Sequence, residues 1–182
     1  MFRSFGLCAV LLMVLECISP GLPSPLWPIC DLRALDHFIK KAQEAEVAMR
    51  SCKEECSLAE PLTVPQPSVD FDAWRKKTSE QQAQEVQSGL FLLSQAMRSL
   101  RSSVSSNAAL HAHIDNNLGN IISIGQVLRS LSLPEYSPSD GGTTSTQRVT
   151  SASALFQVHF NFLRGKVRLL ISHAPACQQA IS

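Results

Sequence analysis

Four groups of residues in this sequence have types and spacings that chemistry could use. The first, His111-Ala112-His113-Ile114-Asp115, offers two imidazoles and a carboxylate, a plausible donor set for zinc. Its surroundings read as a helix, and at about 100° per residue His113 points away from His111 and Asp115, so the three do not converge. The second, His173 with the abundant serines, forms no nucleophile elbow. No catalytic residue, metal site or cofactor is therefore expected, and the chain does not read as an enzyme.

The third group is the cysteines, whose chemistry depends on compartment. Arg3 gives a positive start, Leu7 to Leu15 is an apolar run ended by Glu16, and Ser19 to Ser24 brings small residues and prolines. This is the pattern of a secretory signal peptide over residues 1–23, too short for a membrane anchor, leaving a mature domain of 24–182 outside the cell. Cys8 and Cys17 leave with it. The remaining Cys30, Cys52, Cys56 and Cys177 allow two disulfides in three pairings. Proximity favours Cys52 with Cys56, which leaves Cys30 to meet Cys177 and tie the ends of the domain. A zinc site there would want nearby histidines, and there are none.

The fourth group does the chemistry of recognition. Gln157, Asn161, Arg164 and Arg168 step by four, three and four, forming a basic, hydrogen-bonding stripe on one side of a helix, with Gly165 beside it. Glycine inside a helix costs roughly 1 kcal/mol relative to alanine, so the expected reason for Gly165 is the close approach of another chain. Arginine and asparagine suit a protein interface. Lys166 and His159 project within the apolar face of the same helix, where Lys166 is expected to snorkel or meet a carboxylate.

The elements that must position these groups follow from periodicity. The 182 residues are 45% hydrophobic and 17% charged, with net charge +1, which fits one globular domain and speaks against nucleic acid as partner. Asp31 caps a helix of about residues 32–52, burying Leu32, Leu35, Ile39, Ala42 and Met49. Pro61, Pro65 and Pro67 then forbid a helix, and Leu62-Thr63-Val64 can pair with Arg148-Val149-Thr150 as a short sheet. Phe71 and Trp74 read as an aromatic staple for this long crossover. Thr78, Ser79, Gln81 and Gln82 offer a capping box for a second helix of about 79–105, with a seam of Val86, Leu90, Leu93, Met97, Leu100 and Val104. Asn107 caps a third of about 108–132, lined by Leu110, Ile114, Leu118, Ile121, Ile124, Leu128 and Leu131. After Pro134 and the Ser137 to Thr146 connection, Ser151 or Ser153 starts a fourth of about 151–174, burying Phe156, Phe160, Leu163, Val167 and Leu170. Long, short and long connections fit an all-α, up-up-down-down four-helix bundle of the long-chain cytokine type.

Several motifs carry a more specific likeness. Cys30-Asp31-Leu32-Arg33, Cys52-x3-Cys56-Ser57-Leu58, Thr63-Val64-Pro65, Val69-x-Phe71-x-Ala73-Trp74, Gln82-Ala83-x-Glu85-Val86 and Asn161-Phe162-Leu163-Arg164-Gly165-Lys166 together make the chain resemble the erythropoietin/thrombopoietin family over nearly its whole mature length. The resemblance implies a monomeric hormone that clamps two copies of a single-pass cytokine receptor and brings receptor-associated tyrosine kinases together to drive erythroid precursor survival and maturation. By analogy the tight face is Asn161, Arg164, Gly165, Val69 and Phe71, and the weak face is Arg33, Ala34, His37, Ser123 and Val127. Ser68, His37 and Ile122 depart from the better-known mammalian pattern, which has basic residues at those places. No Asn-x-Ser/Thr occurs, so no N-linked glycan is expected. A secreted helical carrier of lipid or small ligands is the competing class; it would need the apolar faces but not the Asn161/Arg164/Gly165 stripe.

Overall fold

Side-chain caps start each of the long helices, and the residues between them build one core. The computed structural model describes residues 27–52, 56–104, 107–136 and 144–179; the signal-peptide segment and most of the Ser137 to Thr146 connection lie outside the described residues. Helix α1 is Leu32–Ser51, capped by the Asp31 carboxylate, which accepts from the Arg33 amide at 2.9 Å. Strand β1 (Ser57–Pro65) and the one-turn helix α2 (Phe71–Arg75) occupy the crossover. Helix α3 is Ser79–Ser103, opened by a reciprocal capping box in which Thr78 and Gln81 satisfy each other's backbone N–H groups. Helix α4 is Ala108–Ser130, where Asn107 Oδ1 accepts from the amides of Ala109 and Leu110. Strand β2 (Thr146–Ser151) leads into α5 (Ala152–Phe162), capped by the Ser151 hydroxyl. A π-helical turn, Leu163–Val167, then links α5 to α6 (Arg168–His173), and α7 (Pro175–Gln179) follows. Each cap is worth about 1 kcal/mol.

Three tie points fix the helix directions. The Ile29 amide at the start of α1 donates to Ser130 Oγ at the end of α4, at 3.0 Å, so these helices run antiparallel. Arg101 near the end of α3 pairs with Asp115 near the start of α4 at 3.0 Å, so α3 and α4 are antiparallel too, which makes α1 and α3 parallel. The Cys30–Cys177 disulfide joins the start of α1 to the end of the last rod, which therefore runs against α1. The bundle is up-up-down-down. Strands β1 and β2 pair antiparallel, with Leu62 opposite Val149 and Val64 opposite Gln147, and a bulge on the Ser57 side. This sheet, with the Gln66 amide donating to Ser145 O at 2.8 Å, lashes the two long crossovers together.

The core takes Leu35, Ile39, Ala42 and Met49 from α1, Leu93, Met97 and Leu100 from α3, Ile114, Ile124 and Leu128 from α4, and Phe156, Phe162, Leu163 and Leu170 from the last rod, all buried. On α4 the seam departs from expectation: Asn117 is buried where Leu118 is only half-buried; its Nδ2 donates to His113 O at 2.8 Å, while its Oδ1 is buried without a partner among the described residues. Gly89 has a packing reason. A Cβ there would stand 2.3 Å from Phe162 Cζ, so α3 and the last rod meet closely enough to demand glycine.

Candidate functional site

The stripe on the last rod is broken up by the fold in a way the helical spacing did not anticipate. Asn161 and Arg164 are exposed, and the Arg164 guanidinium lies over the Phe160 ring, 5.3 Å from its centroid. That cation–π contact orients the arginine while leaving its N–H donors free, for no ion-pair partner stands against it among the described residues. Arg168, expected outward, is half-buried and pairs with Asp36 of α1, so it holds two helices together.

Gly165 also corrects an expectation. The chain that approaches it is its own: a Cβ on Gly165 would lie 3.2 Å from Val69 Cγ2 and 3.5 Å from Pro67 O. The crossover, in other words, is laid across the π-helical turn at the position without a side chain. A π turn inserts an extra residue into the helical repeat and recurs at functional sites. Here it carries Arg164, Gly165 and Lys166 in succession. The aromatic staple is likewise only half right. Trp74 is buried at 6% exposure, whereas Phe71, at the head of α2 just after the Asp70 cap, is 62% exposed. Two remote segments therefore meet here: Val69 of the crossover lies on Gly165 of the last rod, with the exposed Phe71 two residues further along the crossover and the exposed Asn161 and Arg164 on the rod.

Beneath that surface lies an ionic cluster. Lys166 is 4% exposed; its ammonium donates to Glu85 Oε1 at 2.7 Å and to the Gln66 carbonyl at 2.8 Å. Glu85, on α3, accepts from Lys77 through its other oxygen. Burial pushes the Glu85 carboxyl up, but the hydrogen bonds from Lys166 and Lys77 outweigh it and hold the group below the ordinary carboxylate range. Lys166 thus meets the carboxylate its place on an apolar face required. Glu85 and the platform residue Phe160 were missed as contributors. The spacing of Lys166 announced the need for a partner but not which of the acids would supply it.

On the other side of the bundle α1 and α4 pack side by side. Arg33, Ala34 and His37 are exposed on α1, with Arg33 bridging back to Asp31 at 2.6 Å. Ser123 and Val127 are half-buried on α4, next to Ile122, a leucine-sized side chain left 60% exposed. Two members of the His111-x-His113-x-Asp115 group have separate partners: His111 bonds the Val104 carbonyl, and Asp115 is held by Arg101.

A bundle of four long helices in up-up-down-down order, with two crossovers joined by a small sheet and a polar face displayed on the last rod, defines a long-chain helical cytokine. The model of the family described as Erythropoietin/thrombopoietin matches residues 27–180. The chain belongs to that family. It is similar to the erythropoietin of Epinephelus coioides, 61% identical with 99% of this chain and 98% of that protein covered, and to that of Danio rerio, 58% identical over the full length of both. The erythropoietin of Sus scrofa is 37% identical, with 91% and 92% covered. The chain is accordingly a cytokine hormone of this family and not an enzyme, and membership implies that it binds a cytokine receptor.

Proposed function

We propose that the chain is secreted after loss of residues 1–23 and that the mature hormone, 24–182, engages two copies of an erythropoietin-receptor-like single-pass receptor through two unequal faces. Kinases carried by the two receptors are thereby brought together, and erythroid precursors survive, divide and differentiate. The tight face is Asn161, Arg164, Gly165, Val69 and Phe71; the weak face is Arg33, Ala34, His37, Ser123 and Val127. One observation supports the reading: Val69 rests on Gly165, which brings the segment that carries the exposed Phe71 against the rod that carries the exposed, pre-oriented Arg164. Exposed aromatic and arginine anchors that lose little freedom on docking are what dominate protein interfaces.

Arg164→Glu tests this. The variant is expected to keep the wild-type helical circular dichroism and to lose about 30-fold or more in affinity for the soluble receptor ectodomain, the size of an interface anchor. Normal affinity in a folded variant removes the assignment. On receptor-bearing cells the wild type is expected to give a response that falls again at high dose, as two unequal faces saturate separate receptors; a monotonic plateau counts against two faces.

A further inference from the structure

We propose that Glu85 is a positioning residue for the tight face: from α3, outside that face, it anchors the ammonium of Lys166 that holds the crossover carbonyl of Gln66, and so sets Val69 and Phe71 in register with Arg164 and Gly165. The proposal rests on the tight-face reading given above and concerns what keeps that face in one piece.

The geometry has three parts. First, the face is composite, its two halves separated by about half of the chain, so their relative placement is a tertiary matter. Second, apolar packing under the crossover is thin. Trp74 is the buried side chain of α2, and behind Val69 and Trp74 remains a cavity of about 240 Å³ lined also by Ser68, Asp70 and Lys77. A segment over a partly open pocket of mixed polar and apolar lining is not fixed by close packing. Third, the ionic cluster spans this gap. Lys166 sits inside the π-helical turn, one residue past Gly165, and reaches both Gln66 and Glu85; Lys77, just after α2, reaches the same carboxylate. Glu85 therefore ties the segment at both ends, through Gln66 before Val69 and through Lys77 after Trp74. Two ammonium groups share one carboxylate, so removing Glu85 leaves like charges facing each other with nothing between them.

The test follows amide hydrogen exchange and binding in the full mature chain. Glu85→Gln leaves Lys166 buried without its counter-charge and carries a folding risk, so Glu85→Gln/Lys166→Met, which removes both charges, is measured beside it. In both, the amides of residues 68–74 are expected to exchange about tenfold faster while those of α1 and α4 keep their rates, and affinity for the receptor ectodomain is expected to fall about tenfold, as when the competent conformer drops to a tenth of the population. Glu85→Asp, which keeps the charge, is expected to recover most of both. Unchanged exchange over 68–74 overturns the proposal, and so does a uniform acceleration through all helices, which marks a merely structural role. Exchange reads the brace without any receptor. If crossover exchange rises and binding does not fall, the tie to the face is refuted; if Arg164→Glu also binds normally, the face itself is wrong and the brace holds something else.

Discussion

Acid should weaken this hormone through a single histidine. His159 on α5 is 0% exposed, and neither ring nitrogen has a hydrogen-bond partner among the described residues. Burial lowers its pKa from 6.5 to about 3. The native ring is then neutral wherever the protein is folded, while the unfolded chain takes up a proton below about pH 6.5. A depressed histidine pKa means the unfolded state binds more protons, so stability falls as pH drops through the window between those two values. At pH 5 the linkage comes to about 2 kcal/mol, against almost nothing at pH 7.5. For a domain of this size that is a drop in Tm of roughly 4–8 °C. Carboxylates titrate lower, so the comparison must be internal: thermal unfolding at pH 7.5 and pH 5.0 for the wild type and for His159→Leu. The wild type is expected to lose those degrees and the variant to lose few. Equal losses in the two proteins refute the argument, as does an NMR titration in which the His159 ring protonates near pH 6.5 in the folded state.

Other expectations follow from single contacts. Gly89→Ala forces a methyl into Phe162 and should cost about 1–3 kcal/mol of stability, read by urea unfolding, with no change in secondary structure. Gly165→Ala meets Val69 Cγ2 at 3.2 Å and makes an ordinary contact with Pro67 O at 3.5 Å, and it gains helix propensity, so its stability should stay within about 1 kcal/mol while receptor affinity, measured by surface plasmon resonance, falls as Val69 is pushed off. Replacing both Cys30 and Cys177 by serine opens a closure spanning a sequence separation of 147 and should cost about 5 kcal/mol in the chain-entropy account; doing the same at Cys52 and Cys56, separated by 4, should cost about 2. Chemical denaturation of the two variants side by side checks the ordering.

What could be read from the sequence was whatever a local period or a local cap encodes. The seam of α3, most of the seam of α4, the capping box at Thr78 and the cap at Asn107 depend on residues within a few positions of each other, and the structure contains them; the two short strands were legible as local segments, and their pairing across the crossovers is present too. Lys166 could be read halfway, because a lysine on an apolar face needs an acid but the need does not name Glu85. Long-range facts had no such signal. The Asp36 that engages Arg168 lies 132 residues away, and the loop that crosses Gly165 approaches from nearly a hundred residues upstream. A glycine announces that something comes close without saying what. The period still placed Val167 and Leu170 inside beyond the π-helical turn, but it carried no sign that Arg168 would meet Asp36 of α1 instead of solvent.

The three cations that end the last rod therefore divide by depth and not by spacing. Lys166 is spent inside, neutralised against Glu85; Arg168 is spent between helices, against Asp36; Arg164 rests on an aromatic ring with its donors still available. A partially exposed pair such as Arg168 with Asp36 contributes little more than about 1 kcal/mol, and a buried pair contributes mainly placement. Of these three, Arg164 is the cation whose hydrogen-bonding capacity the fold does not consume, which is why the proposed tight face is centred on it. Its position depends on the other two, since Arg168 fixes the rod against α1 and Lys166 fixes the crossover against the rod, and a change at either should reach the receptor only by moving Arg164, Val69 or Phe71.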